Sequence, residues 1–294
     1  MRFIASRPTC RGALHAVSPG CQYQIAWEIN PHMIVGSVHP ERAVAQHAAL
    51  VRAVRSLGID LQMLPFVHAA FDSVFCKDNG IFIRDRGTTR ALLARPRFSE
   101  RQQEQAVRAA DLVRAGIELH PDPADLEGGD VIVIPGRCAL LGHGFRSYRA
   151  AAPALERFLG LPVLPVELVD PALYHLDTAI AALADGTLLV CDEALAPGAR
   201  RELNALGLGE VFSVSRDEAV RFALNLVEIG DAIVTGTESA EVRAILATRG
   251  KRVVYTPLDE FHRAGGSVAC LLAPVHDQQA VATAATTAIR STAA

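Results

Sequence analysis

The sequence predicts an α/β fold of five quasi-equivalent units set around an axis, each built as a hairpin, a helix and a further strand. Three observations carry this expectation. Paired short apolar runs separated by turn residues recur at intervals of about 50 residues along the 294-residue chain. A stretch of helical period follows each pair, and an extended apolar segment follows that. The last pair has nothing after it that leads to another core strand, so the N-terminal region must complete its unit and close the ring.

The first unit opens with Ile81-Phe82-Ile83 and Ala91-Leu92-Leu93 around the turn Asp85-Arg86-Gly87. Ser99 and Gln102 have the spacing of a capping box, and Gly116 lies beyond the last turn of the helix they would start. The second unit has Val131 to Ile134, the turn Pro135-Gly136-Arg137, Cys138 to Leu141, a helix from about Ser147 to Leu159, and Pro162-Val163-Leu164. The third runs from Ile180 to Leu183 through Asp185-Gly186 and Leu188 to Cys191 into an Arg/Leu-rich helix ending near Gly207. The fourth has Leu226 to Ile229, Gly230-Asp231, Ala232 to Val234, a helix over Glu241 to Arg249 and the strand Arg252 to Tyr255. For the fifth, the run Val268 to Leu272 reads as a strand. A helix from Glu41 to Leu57, with Val44, Ala48, Val51 and Val54 on one face, and the strand Leu61 to Leu64 supply the rest. We read residues 1–294 as a single catalytic domain whose last ~15 residues form a tail.

Composition narrows the function. Half of the residues are hydrophobic, enough for a sizeable core. The formal net charge of −3 and the absence of basic runs longer than pairs argue against nucleic acid or anionic lipid as partners. No stretch approaches the roughly 20 apolar residues of a membrane helix, and the N-terminus has no secretory body, so a cytoplasmic protein is expected. Six cysteines spread singly suit reduced thiols, and neither C-x-x-C nor H-E-x-x-H occurs, so neither a structural zinc site nor a zinc peptidase is expected.

The chemically capable residues fall at matching places, at the entry to each hairpin. They are Asp78, Glu127, the pair His175 and Asp177, and Cys270. Rotationally related units would bring these positions together on the axis. A thiolate is a strong nucleophile, a histidine carries protons, and several carboxylates hold a planar cation with five N–H donors. Carboxylates in excess disfavour a thiolate in an empty site, and a bound guanidinium would reverse that. Each residue also has a plainer reading: Asp78 as a turn cap before Asn79-Gly80, Glu127 as part of a glycine turn, His175 as a packing residue, Cys270 as an inert buried thiol. A papain-like protease is disfavoured because Cys270 lies downstream of His175.

The segments FDSVFCKD at 71–78, LEGGD at 126–130, HLDT at 175–178 and GGSVAC at 265–270 resemble the guanidine-modifying superfamily, from about Asn30 to Val275. That superfamily comprises dimethylarginine dimethylaminohydrolases, arginine deiminases and amidinotransferases on a five-bladed α/β propeller. The resemblance implies that Cys270 attacks the guanidinium carbon, His175 protonates the departing amine and then activates water, and Glu127 binds guanidinium nitrogen. Asp78 and Asp177 would complete the cradle. Asp72, Arg101 and Arg146 would contact the amino-acid backbone of the substrate, and Phe75 would line the site. It implies a small guanidino substrate, a ureido product and no cofactor, with a homodimer as a compatible assembly.

Two positions depart from a dimethylarginine hydrolase: Lys77, where that group has an acidic residue, and Asp177, which it usually lacks. Both resemble arginine deiminases, although the helical insertion of those enzymes is missing. WEINPHM at 27–33 resembles bacterial arginine dihydrolases, which carry asparagine at the position of Asp78. An amidinotransferase and a non-enzymatic propeller that binds a macromolecule are the competing expectations.

Overall fold

The structure is a computed structural model and describes residues 1–10 and 20–278. The expected C-terminal tail lies outside the described residues. Fifteen strands are described, in chain order β1 (Arg2–Ser6), β2 (Asp60–Leu64), β3 (Gly80–Asp85), β4 (Thr88–Leu93), β5 (Ile117–Leu119), β6 (Val131–Ile134), β7 (Cys138–His143), β8 (Val163–Glu167), β9 (Ile180–Ala182), β10 (Leu188–Val190), β11 (Val211–Ser213), β12 (Val227–Ile229), β13 (Ala232–Thr235), β14 (Arg252–Tyr255) and β15 (Ala273–Asp277).

All five predicted units are present. In each, an antiparallel hairpin is followed by a helix and by a strand that returns parallel to the hairpin's second member. The sets are β3-β4-β5, β6-β7-β8, β9-β10-β11 and β12-β13-β14. The fifth is β15-β1-β2, in which β15 pairs antiparallel with β1 and β1 pairs parallel with β2. β15 also runs parallel to β3, so the fifth and first units share one six-stranded sheet.

Three expectations need correction. Val268–Leu271 is a short helix, and the strand it leads into is β15. The apolar run cannot signal this, because four buried residues fit a strand or one helical turn equally well. The capping box does not form: the Ser99 hydroxyl donates to Glu100, the residue before the helix is Phe98, and the helix is split into Ser99–Gln102 and Gln105–Arg114. The helix Pro40–Ser56 buries Ala43, His47, Leu50 and Val54, a face turned by about one residue from the predicted one. Gln46 is also inside, because its carboxamide donates to Asp259 and accepts from the Glu260 amide. A polar pair thus overrides the apolar stripe. The closing strand β1 escaped the sequence reading altogether.

β1 is a central strand with Phe3, Ile4 and Ala5 buried. We expect Ile4→Ala to lower the free energy of unfolding by about 2–5 kcal/mol in chemical denaturation, through lost burial and the cavity left behind. A change under about 1 kcal/mol would show that the ring does not depend on this closure.

Candidate active site

In four of the five units the polar stations sit on, or directly before, a single helical turn placed just ahead of the first strand. Cys76–Asn79 carries Asp78 ahead of β3, Gly128–Asp130 follows Glu127 ahead of β6, Leu176–Ala179 follows His175 ahead of β9, and Val268–Leu271 carries Cys270 ahead of β15. Close approach of the turns explains the paired glycines. A Cβ on Gly128 would stand 1.9 Å from the Lys77 carbonyl oxygen, and one on Gly129 would stand 2.7 Å from His175 Nδ1.

Four cations and four carboxylates pair in this buried centre. Arg101 Nη1 donates to Asp78 Oδ2 at 3.0 Å, and Arg101 Nη2 donates to Glu104 at 2.8 Å. Arg146 Nη1 donates to Glu127 Oε2 at 3.1 Å, with its guanidinium between the rings of Phe98 and Tyr174. Lys77 Nζ donates to Asp177 Oδ2 at 2.7 Å. His175 places Nε2 3.0 Å from Glu127 Oε2 and Nδ1 3.8 Å from Asp78 Oδ1. Asp72 and Asp130 are buried beside this set, Asp72 near Arg101 and Arg146 and Asp130 near His175, so carboxylates outnumber cations at the centre, as the sequence suggests.

Burial alone would lower the His175 pKa, but Asp78 and the hydrogen bond to Glu127 outweigh it and raise the value to about 9. Burial likewise pulls Glu127 up, while Arg146 and then His175 hold its carboxyl well below the usual range. For Cys270, burial, then Asp177, then Asp78 push the thiol well above its ordinary value, and Lys77 opposes them. The unliganded site thus holds an imidazolium and a neutral thiol. Cys270 Sγ lies 3.8 Å from Asp177 Oδ1. Cys76 is fully buried, and burial pushes its thiol up to about 12, which disfavours a thiolate there.

A cavity of about 10 Å³, room for about one water, opens onto Cys270, His175, Asp78, Arg101, Arg146 and Phe75. Ile29, Asn30 and Met33 form another wall. Glu127, Asp177 and Asp72 do not line it. Asp72 accepts from Trp27 Nε1 at 2.6 Å, its other oxygen has no hydrogen-bond partner, and burial raises its pKa to about 6. Asp78, Glu127 and His175 could each turn one ligand atom to a metal ion. Those atoms are already engaged, Asp78 Oδ1 by the Gly129 amide, Asp78 Oδ2 by Arg101, and Glu127 Oε2 by Arg146 and His175.

Two residues at the centre were missed, Glu104, which pairs with Arg101, and Asn225. Asn225, fully buried, precedes β12 and is the station of the fourth unit, where the sequence reading placed none. The signal was available: a lone carboxamide inside the apolar run Phe222 to Ile229, at the same offset from a hairpin as Asp78.

Comparison with known proteins agrees with this geometry. The sequence profile described as N,N dimethylarginine dimethylhydrolase, eukaryotic, matches residues 29–277. The chain is 31% identical over 272 residues to the N(G),N(G)-dimethylarginine dimethylaminohydrolase of Mycobacterium tuberculosis, covering 92% of this chain and 88% of that one. It is also 31% identical over 261 residues to the bifunctional arginine dihydrolase/ornithine cyclodeaminase ArgZ of Synechocystis, although it spans only 36% of that longer enzyme. The N-terminal domain of ArgZ, an arginine dihydrolase from cyanobacteria, superposes with TM-scores of 0.83 as a cysteine-to-serine variant bound to substrate and 0.84 as a variant covalently bound to a reaction intermediate. Both are 27% identical and cover 94% of this chain and 98% of theirs.

Because the folded pKa of His175 is raised, the imidazolium contributes stability that is fully present below about pH 6.5 and is lost as pH climbs through about 9. We expect unfolding free energy to fall across this window in the parent and to stay flatter in His175→Gln. Equal slopes would mean that His175 is not held charged.

Proposed function

We propose a reaction from one premise: the chain belongs to the N,N-dimethylarginine dimethylhydrolase family and is a hydrolase of small guanidino compounds. Cys270 attacks the guanidinium carbon of an arginine-like substrate whose guanidinium is unsubstituted. The observation that carries this choice is the Asp177 carboxylate, 3.8 Å from Cys270 Sγ. Lys77 takes Oδ2, and Oδ1, to which the Cys270 thiol donates in the empty site, is left to accept an N–H beside the carbon under attack once that thiol loses its proton. A dimethylated nitrogen at that place would set methyl groups against a buried carboxylate oxygen and leave it unpaired, at a cost of about 1–3 kcal/mol.

Charge balance supports the activation step. In the empty centre Asp177 and Asp78 oppose the Cys270 thiolate, and an incoming guanidinium adds a positive charge that offsets them. The bound cation thereby favours loss of the Cys270 proton to solvent. The thiolate then forms the C–S bond. The C–N bond to the departing nitrogen breaks as the His175 imidazolium gives that nitrogen its proton, and ammonia leaves. Neutral His175 takes one proton from water, the water oxygen bonds to the thiouronium carbon, and the C–S bond breaks as the remaining hydroxyl proton passes to solvent, which returns the thiolate and a neutral ureido product.

Glu127 holds His175 in place and keeps it charged, in the manner of a carboxylate behind a catalytic histidine. Asp78, whose oxygens are now held by Arg101 and Gly129, supplies a second acceptor for the guanidinium. Arg101 and Arg146 line the cavity and offer donors to the substrate carboxylate once the walls part. To Asp72, one oxygen of which is unpartnered, this reading assigns acceptance from the substrate ammonium once the walls part. No helix among the described residues is long and apolar enough to cross a membrane. We place the enzyme in the cytoplasm, a compartment that keeps Cys270 reduced. The relatives above do not favour amidino transfer or macromolecule binding.

Turnover of L-arginine and of Nω,Nω-dimethylarginine, with ureido product, amine and ammonia quantified, tests this reading. We expect kcat/KM for arginine to exceed that for dimethylarginine by about tenfold or more, Asp177→Asn to narrow the gap, and Cys270→Ser to abolish both activities. A preference for dimethylarginine would refute the substrate assignment, and a Cys270→Ser variant working at the parental rate would refute the mechanism.

Lys77 has a separate expectation. Lys77→Ala strands the buried Asp177 charge, so we expect a loss of about 3–5 kcal/mol of stability at neutral pH by denaturant titration. A loss below about 1 kcal/mol would show the pair to be slack.

A further inference from the structure

We propose that Asn225 is a catalytic residue of this hydrolysis, whose carboxamide N–H donates to the Cys270 sulfur and favours its charged, attacking form. The proposal rests on the reading of Cys270 as nucleophile. It assigns a role to the fourth unit, which otherwise gives the centre no reactive group.

The geometry leaves the carboxamide one orientation. Oδ1 accepts from the backbone N–H of Ala269 at 3.0 Å and of Cys270 at 3.3 Å. Nδ2 donates to the Asp177 carbonyl oxygen at 3.1 Å and to Cys270 Sγ at 3.2 Å. Exchanging oxygen and nitrogen would set donors against the two backbone N–H groups and an acceptor against a carbonyl, so the sulfur must face a donor. Both amide hydrogens and the oxygen are thereby used on the turn that carries the nucleophile and on the residue beside it.

A donor aimed at sulfur acts differently on its two forms. A neutral thiol is a weak acceptor, whereas a thiolate accepts a charge-assisted hydrogen bond roughly twice as strong as a neutral one. Burial, Asp177 and Asp78 all oppose the thiolate, with Lys77 the opposing cation already resident. Asn225 adds a fixed dipole on the same side as Lys77 and costs no further reorganisation when the substrate arrives. The proton released from Cys270 goes to solvent, and no other group changes its protonation.

The same four bonds could serve only to pin the turn, so the test must read ionisation. Asn225→Asp keeps an oxygen for the two backbone N–H groups but replaces the donor with a carboxylate. Asn225→Ala removes the donor without adding charge. We expect the midpoint of Cys270 alkylation by iodoacetamide, followed by peptide mass spectrometry against pH, to rise by about one to two pH units in Asn225→Ala and further in Asn225→Asp. The rising limb of kcat/KM for L-arginine should move with it, and kcat at pH 7 should fall about 10–100-fold while KM changes little.

Midpoints unchanged from the parent in the folded variants would overturn the proposal, and so would failure of both variants to fold, which would make Asn225 a structural pin. Full activity of Cys270→Ser would instead remove the nucleophile reading beneath it.

Discussion

The centre of this protein depends on pairing. Lys77, Arg101, Arg146 and His175 stand against Asp78, Glu104, Glu127 and Asp177 in a volume from which water is almost excluded. A buried charge without a partner is expensive, and removing one partner of such a pair costs several kcal/mol. The set persists because its members neutralise one another, all but the Arg101–Glu104 pair across distant parts of the chain. Asp177 reaches Lys77 100 positions away, and Arg146 reaches Glu127 across 19.

That constraint explains the architecture around it. Single helical turns ahead of four of the five units bring side chains to the axis more closely than long helices could, and glycines 128 and 129 let the turns approach Lys77 and His175 without a clash. The outer strands and helices form the apolar clusters that hold the turns in register, among them Leu188, Leu189 and Val190 of β10 and Ile233 of β13. Stability resides in the units, and reactivity resides where they meet.

Pairing also links affinity to reactivity. In the proposed mechanism, a nearly closed chamber with a protonated thiol limits side reactions before the substrate arrives. A bound guanidinium would favour the Cys270 thiolate, so that binding the right cation would produce the nucleophile, and a neutral analogue of the same shape would leave Cys270 protonated. On the same proposal, the resident groups Lys77 and Asn225 set how much help the substrate must give.

The amino-acid sequence by itself determined the repeat, four of the five stations and their order, because hydrophobic period and turn chemistry are local properties that recur at matching offsets. β6 was legible to the residue, since Val131 to Ile134 is bounded by glycine-rich turns on both sides. Only the tertiary structure decided what depends on partners distant in the chain. It placed Cys270 on a helical turn, rotated the helix Pro40–Ser56 so that Gln46 faces inward, and tied Arg101 and Arg146 to carboxylates. It also set Asn225 against the sulfur. A side chain's pairing in a low-dielectric interior is chosen by whichever complementary group the fold brings near, and no local pattern encodes that choice.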